Sequence, residues 1–225
     1  MPVVLTGTDT DPALERWWSL GPQRREAICA LRALGISLVT TPNYSLFTDQ
    51  PRWDDLHSMK RIALVHEEFL SEGLPAALHV NARTERDWNR WKDYISARPE
   101  VTHIAFEFAT GAGCVERTKW HADELVRLAG TVDRPLHLFV RGGGKVFQTL
   151  ATAFSAITLL ETSAFIKTMH RQRATLTAKG MLSWSLSATD ESEMLDKLLA
   201  ENCRAVAASH AAVLGRTPSP LQAVG

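Results

Sequence analysis

Short apolar runs alternate along this chain with longer segments whose apolar residues recur at helical spacing. The runs are "VVLTG" (3–7), "ISLVT" (36–40), "AALHV" (76–80), "HIAFEF" (103–108), "LHLFV" (136–140) and "AITLLE" (156–161). Each is too short for a globular helix, and most are rich in β-branched or aromatic residues, so each predicts a strand. Between them, residues 22–34 open on Pro22, suited to a first helical turn, and stop before Gly35. Residues 84–97 begin with a capping-box pattern, Thr84 with Asp87, and put Trp88, Trp91 and Ile95 on one face. Residues 117–129 close before Gly130 in the same manner. A segment at 175–193 reads as irregular or as a hairpin. A helix is predicted at about 190–214, with Met194, Leu195, Leu198 and Leu199 as its apolar face.

Most strand starts lie about 25 to 40 residues apart, the spacing of βα units. Six strands separated by helices make a parallel sheet, because each crossover returns the chain to the same end. Polar residues follow nearly every strand, as a ring of loops around one barrel mouth requires; an open doubly wound sheet would concentrate them at a switch point. The expected fold is therefore α/β, a parallel (β/α) barrel of the TIM type. It should be reduced or incomplete, since eight units usually take about 250 residues. A C-terminal helical extension follows. The expected organisation is barrel at 1–174, extension at 175–217 packed on the same domain, and a flexible tail at 218–225.

Composition narrows the function classes. The chain has 225 residues, 45% hydrophobic and 22% charged, with 25 basic and 25 acidic side chains. This is ordinary for a soluble globular protein, and zero net charge gives no global pull toward a polyanion. Three scattered cysteines, Cys29, Cys114 and Cys203, form no CxxC pair, which argues against a disulfide framework or structural zinc and fits a cytoplasmic protein. The N-terminal stretch meets Asp9 before any apolar core develops, so no signal peptide is expected, and no stretch is apolar for long enough to span a membrane.

The candidate chemistry lies at the strand ends. In chain order these carry Asp9, Asn43 with Tyr44, Asn81 with Arg83, Glu107, Arg141 with Gly142, Gly143 and Gly144, and Glu161. Glu107 and Glu161 are the candidate catalytic acids, bases or nucleophiles. The alternative for Glu107 is a structural ion pair with Arg141 or Arg83, since an unpaired buried carboxylate is costly. Asn43, Tyr44, Asp49 and Asn81 are expected to orient a substrate, although asparagines also terminate strands, and Arg83, Arg141, the glycine loop and Lys167 with Arg171 are expected to hold its phosphate.

"VRGGGK" (140–145) resembles a phosphate loop in composition but matches neither GxGxxG nor GxxxxGK[ST], so an anion site and a plain tight turn both stand. On a helical reading of "FIKTMHRQRA" (165–174), Lys167 and Arg171 share a face with His170 alongside; an anionic partner or plain solvation would account for it. "HEEF" (66–69) lacks the second histidine of HExxH, no Gly-x-Ser-x-Gly elbow occurs, and no metal or other cofactor is implied. His79 and His137 fall on strands, where a core histidine bonded to backbone is expected. Among the seven tryptophans, Trp53 is the one in a polar loop, where it could stack on a base or sugar.

The stretch "LVTTPNYSLFTDQPRWDDLHSMKRIALVHEEFLSEGLPAALHVNAR" resembles a bacterial and phage domain family of unknown function. Its members carry a Ser/Thr-Pro-Asp/Asn-aromatic-Ser-Leu run after a strand, then a short acidic-Pro segment and a long helix. The likeness covers about residues 36 to 110, and the family carries an aspartate where this chain has Asn43. At the level of fold, the βα rhythm and the glycine-rich late loop are similar to the tRNA-guanine transglycosylase barrels. That similarity implies cleavage or exchange of an N-glycosidic bond on a nucleic acid. The expectation is a metal-independent barrel enzyme acting on a phosphorylated, nucleotide-like or nucleic-acid substrate. The alternative is a non-catalytic barrel that binds a protein or nucleic acid within a mobile-element-encoded system.

Overall fold

The computed structural model describes residues 3–109, 115–178, 180–187 and 195–214. The chain divides into two compact units, Met1–Leu159 and Leu160–Gly225. The first holds all but the last residue of a six-stranded sheet: β1 (Val4–Leu5), β2 (Leu38–Thr40), β3 (Ala76–His79), β4 (His103–Glu107), β5 (His137–Arg141) and β6 (Ala156–Leu160). All six lie at the predicted runs. Their order in the sheet is their order in sequence, the strands are parallel, and the sheet curls into a half-barrel. A doubly wound sheet would reverse its order at a switch point, and this one does not.

The crossovers run through α1 (Asp11–Ser19), α2 (Arg24–Ala33), α3 (Arg52–Ser71), α4 (Glu85–Ser96), α5 (Val115–Thr131) and the five-residue α6 (Phe147–Ala151). Pro22 falls in a 3-10 turn, Gly21–Gln23, which leads into α2. On α3, Met59, Ile62, Val65 and Phe69 recur at helical spacing and are buried. The capping box of α4 forms as its sequence predicts, and Trp88, Trp91 and Ile95 are buried. Gly130 does not stop α5. The helix continues to Thr131, and the Val132 N–H still reaches the Leu128 carbonyl at 3.1 Å, holding the last turn around the glycine. A helical glycine costs only about 1 kcal/mol, which the burial of Leu125, Leu128 and Val132 offsets.

Register assigns the two faces of the sheet. Val39 and Ala76 are neighbours in register and belong to one buried cluster with Ile28, Val65, Phe69 and Leu74, so they face the helices. Alternation then places Thr40, Ala77, His79, Ala105, Glu107, Phe139 and Arg141 on the inner face.

At the first edge, Gly7 lets β1 close on β2. A Cβ there would lie 2.5 Å from both the Thr40 and Thr41 carbonyl oxygens, and those atoms are backbone. Gly7→Ala must therefore push the strands apart, and a loss of about 2 kcal/mol is expected in urea titration. A change under about 0.5 kcal/mol would mean the edge moves freely.

In the second unit, α7 (Ser163–Met169) precedes an antiparallel hairpin of β7 (Gln172–Leu176) and β8 (Leu182–Leu186), and α8 (Leu195–Leu214) follows. The hairpin overlaps the segment 175–193 and begins three residues ahead of it. Buried Asn202 of α8 ties these elements together: its amide donates to the Thr168 hydroxyl and the Gln172 carbonyl, and its oxygen accepts from the Ala174 N–H, each at 2.8 Å. Met194 and the tail at 218–225 lie outside the described residues. Among the described residues no helix is long and apolar enough to cross a membrane.

Candidate functional site

Alternation and register bring Asn81, Glu107 and Arg141 into one layer at the carboxyl ends of β3, β4 and β5. Glu107 is 6% exposed. Its Oε1 accepts the Ala109 N–H at 2.7 Å, and its Oε2 accepts from Arg141 at 3.2 Å. Burial pushes the Glu107 carboxyl above its ordinary pKa, and the Ala109 N–H and the Arg141 guanidinium offset only part of that. The ion pair named as the structural alternative thus forms with Arg141 and leaves the carboxyl more basic than usual. Beneath the layer, His79 is 3% exposed with its Nδ1 unpartnered, rather than bonded to backbone, and burial lowers its pKa to about 3. His137 bonds the Thr158 hydroxyl at 2.8 Å.

The loop after β2 is mostly held by its own polar groups. Asn81 donates to Asn43 Oδ1 and to the Tyr44 carbonyl, both at 2.9 Å. Arg83 Nε donates to the Leu46 carbonyl at 2.8 Å, Ser45 to Asp11 at 2.6 Å, and the Phe47 N–H to Asp55 at 2.9 Å. Tyr44 is a core residue: it is 1% exposed, its ring lies 4.1 Å from the Arg61 guanidinium carbon, and burial raises its pKa to about 12. Asp49 is exposed in the bend beyond, and Trp53 is 68% exposed on the first turn of α3. Thus Asn43, Asn81 and Arg83 meet around one loop, whereas Tyr44 and Asp49 lie beneath and beyond it.

Asn43→Ala removes one half-buried acceptor, and Asn81 keeps its bond to the Tyr44 carbonyl. The variant is expected to lose about 1 kcal/mol or less in urea unfolding. A loss several times larger would make Asn43 a strut of the loop.

The glycines of "VRGGGK" have a steric reason. Gly142 and Gly143 both have φ of 75°. A Cβ on Gly143 would lie 2.6 Å from the Phe108 ring, and one on Gly142 would lie 3.0 Å from the Ala109 nitrogen. Gly144 meets nothing within 4 Å, and exposed Lys145 stands on a 3-10 turn, Gly144–Val146. Close packing against the end of β4 accounts for the first two glycines, and Arg141 carries its charge to Glu107.

Glu161, Lys167 and Arg171 belong to the second unit. Glu161 accepts from the Ser163 N–H at 2.6 Å and lies 3.2 Å from His210 Nε2, and the His210 hydrogen bond leads in lowering its pKa to about 2. It is held ionised. The shared helical face of Lys167 and Arg171 does not form, because α7 ends at Met169. His170 caps it, Arg171 takes φ of 50° in the turn, and Arg173 pairs with Glu201 from β7. Lys167 Nζ lies 6.0 Å from the Trp184 ring centroid.

Two surface cavities are formed elsewhere. One of about 170 Å³ lies against β1 and includes Gly7, Asp9, Trp17 and Phe69. The other, about 370 Å³, lies between α2 and α3, with Arg24, Arg25, Glu68 and Glu72. Neither includes Glu107 or Arg141. Among the described residues no group of three or more His, Cys, Asp or Glu is placed to hold a metal ion.

Arg117 and His121, beside the end of β4, were not singled out in the sequence, and Trp88 was read only as part of a buried helix face. Their one signal is that Arg117 and His121 stand four residues apart near the start of the helix after a strand. Fold and site together define a reduced parallel (β/α) barrel with a buried, paired carboxylate at its strand ends. Comparison with protein-family models gave no match to this chain, and comparison with curated proteins gave none.

Proposed function

We propose that the first unit is a barrel enzyme acting on a phosphorylated, nucleotide-like or nucleic-acid substrate, with Glu107 as its acid–base group. The observation that supports this reading is a carboxyl buried at a strand end in one layer with an amide and a guanidinium, Asn81 and Arg141. Burial raises its pKa above the ordinary carboxylate value, the direction in which a general acid is tuned. In cleavage of an N-glycosidic bond, Glu107 gives its proton to the departing base nitrogen as the sugar–nitrogen bond breaks. Water adds to the sugar carbon and returns a proton to Glu107. Asn81, which already carries two hydrogen bonds, orients the substrate together with Asn43. Glu161, a group of the second unit already ionised and engaged by His210 and Ser163, has no part in this scheme.

A second reading, binding without catalysis to a protein or nucleic acid, is favoured by the same Glu107–Arg141 pair, because a carboxylate with both oxygens engaged needs no reaction to justify its place. The likeness to the domain family of unknown function suits either reading, and the fold-level similarity to transglycosylase barrels favours the enzyme. The two part on an assay of the purified protein with nucleosides, nucleotides, single-stranded RNA and DNA. Chromatography detects released base, and calorimetry detects binding. Base release supports the enzyme. Binding without release supports the binding module, and neither result on any substrate overturns both.

A further inference from the structure

We infer that an oxyanion, with phosphate as its simplest form, is seated beside the end of β4 by Arg83, Arg117, Trp88 and His121. The inference rests on the reading that the strand ends take a phosphorylated ligand, and it moves the phosphate away from the glycine turn.

Arg83 stands in the loop after β3, half buried. Its Nε is fixed by the Leu46 carbonyl at 2.8 Å and its backbone N–H by Asp87 at 3.0 Å. That leaves the two terminal nitrogens of its guanidinium with no hydrogen bond and no ion pair among the described residues. Arg117, half buried in the first turn of α5, likewise has none there.

The nearby carboxylates are already committed: Asp87 and Asp55 both pair with Arg52. Burial lowers the Arg83 pKa first and Arg117 lowers it further, against a smaller rise from Asp55; burial, then Arg117 and Arg83, lowers His121 to about 4. Two guanidinium groups and an imidazole therefore lie close enough to feel one another, and the acids acting on Arg83, Asp55 and Asp87, are those already paired with Arg52.

Trp88 and His121 add a second, independent observation. They are 0% and 1% exposed, their rings are 5.9 Å apart, and both lie on Phe106, at 5.7 and 5.1 Å. Trp88 Nε1 and His121 Nδ1 are both buried without a partner. Such groups are costly to leave unpaired, and two side by side call for an acceptor. The guanidiniums and the indole can only donate, and a neutral imidazole donates from one nitrogen. A set made of donors matches a ligand made of acceptors. Arg117 itself stands in the first turn of the 17-residue helix α5, where the helix dipole favours negative charge.

The test is a titration of the full ¹⁵N-labelled chain with inorganic phosphate at constant ionic strength, reading the indole N–H signal of Trp88. A saturable shift is expected. Arg117→Ala, a change on a half-exposed helical turn that alanine suits, should weaken it by about tenfold or more. Lys145→Ala, on the glycine turn, should leave it within about twofold. If Lys145→Ala weakens phosphate and Arg117→Ala does not, the anion sits at the glycine turn; this inference fails while the function proposed above stands. An equal shift in wild type and Arg117→Ala also overturns it. Absence of saturable phosphate binding overturns it too, and the nucleotide panel then decides separately whether the strand ends take a ligand at all.

Discussion

Glu107→Gln is expected to abolish base release, by about a hundred- to ten-thousandfold, while nucleotide binding stays within a few-fold. Glutamine keeps the shape and an acceptor for the Ala109 N–H but has no proton to give. The wild-type rate should fall as pH rises through the raised pKa of Glu107, because the proposed scheme needs its acid form. The variant's residual rate should lack that limb.

Stability carries the same signature with its own sign. A carboxyl with a raised folded pKa binds its proton more tightly in the folded chain, so stability declines as pH rises from the unfolded value, about 4.3, to the folded one. Glu107→Gln removes that decline, so the variant gains on wild type across the window. Base release at the wild-type rate by Glu107→Gln would remove Glu107 from the chemistry, and a flat pH profile in wild type would remove it as the acid.

Asp87→Ala should be the most damaging single change to stability, at about 3 kcal/mol or more. This side chain is 0% exposed. Its Oδ2 accepts from the Arg83 N–H at 3.0 Å, the Thr84 N–H at 2.9 Å and the Thr84 hydroxyl at 2.9 Å, while Oδ1 pairs with Arg52. Alanine leaves these donors facing a cavity, though Arg52 keeps Asp55 as a partner, which limits the loss.

Burial pushes the Asp87 carboxyl up, but the Arg52 guanidinium and the Arg83 and Thr84 N–H groups outweigh it, so the pKa lies below the usual value. Its stabilisation is complete above the unfolded pKa, about 3.9, and is lost as pH falls through the folded one. Urea titrations of wild type and variant at neutral pH and near pH 3 should therefore converge on acidification. A loss under about 1 kcal/mol at neutral pH would show that water replaces the carboxylate in this cap.

The strands and most helices were legible because two periods, 2 and 3.6, are written directly in the apolar positions. Glu107, Asn81 and Arg141 were legible too, since each stands at the end of a recognisable strand and alternation fixes its face. Tyr44 was not. A tyrosine in a polar loop turns inward only when Trp18 and Arg61, from two other elements, wall it in, and no local pattern records that. The basic face at 167–173 failed because helical spacing was extended past Met169, where a left-handed turn at Arg171 sends the chain into a hairpin. Arg117 and His121 drew no notice in the sequence, since what sets them apart is the burial of His121 against Phe106 and their nearness to Arg83, which no local pattern records.

The sequential order of the strands bears on how this chain comes off the ribosome. Each strand lies beside the one made just before it, so every new βα unit finds its docking edge already synthesised. No pairing waits for a distant segment, and each step closes only one crossover's worth of chain, which keeps the entropic cost of each closure small. The first three strand pairs each hold two residues in register, and β4 with β5 holds five. The growing edge, rather than the N-terminal one, offers the next strand its template.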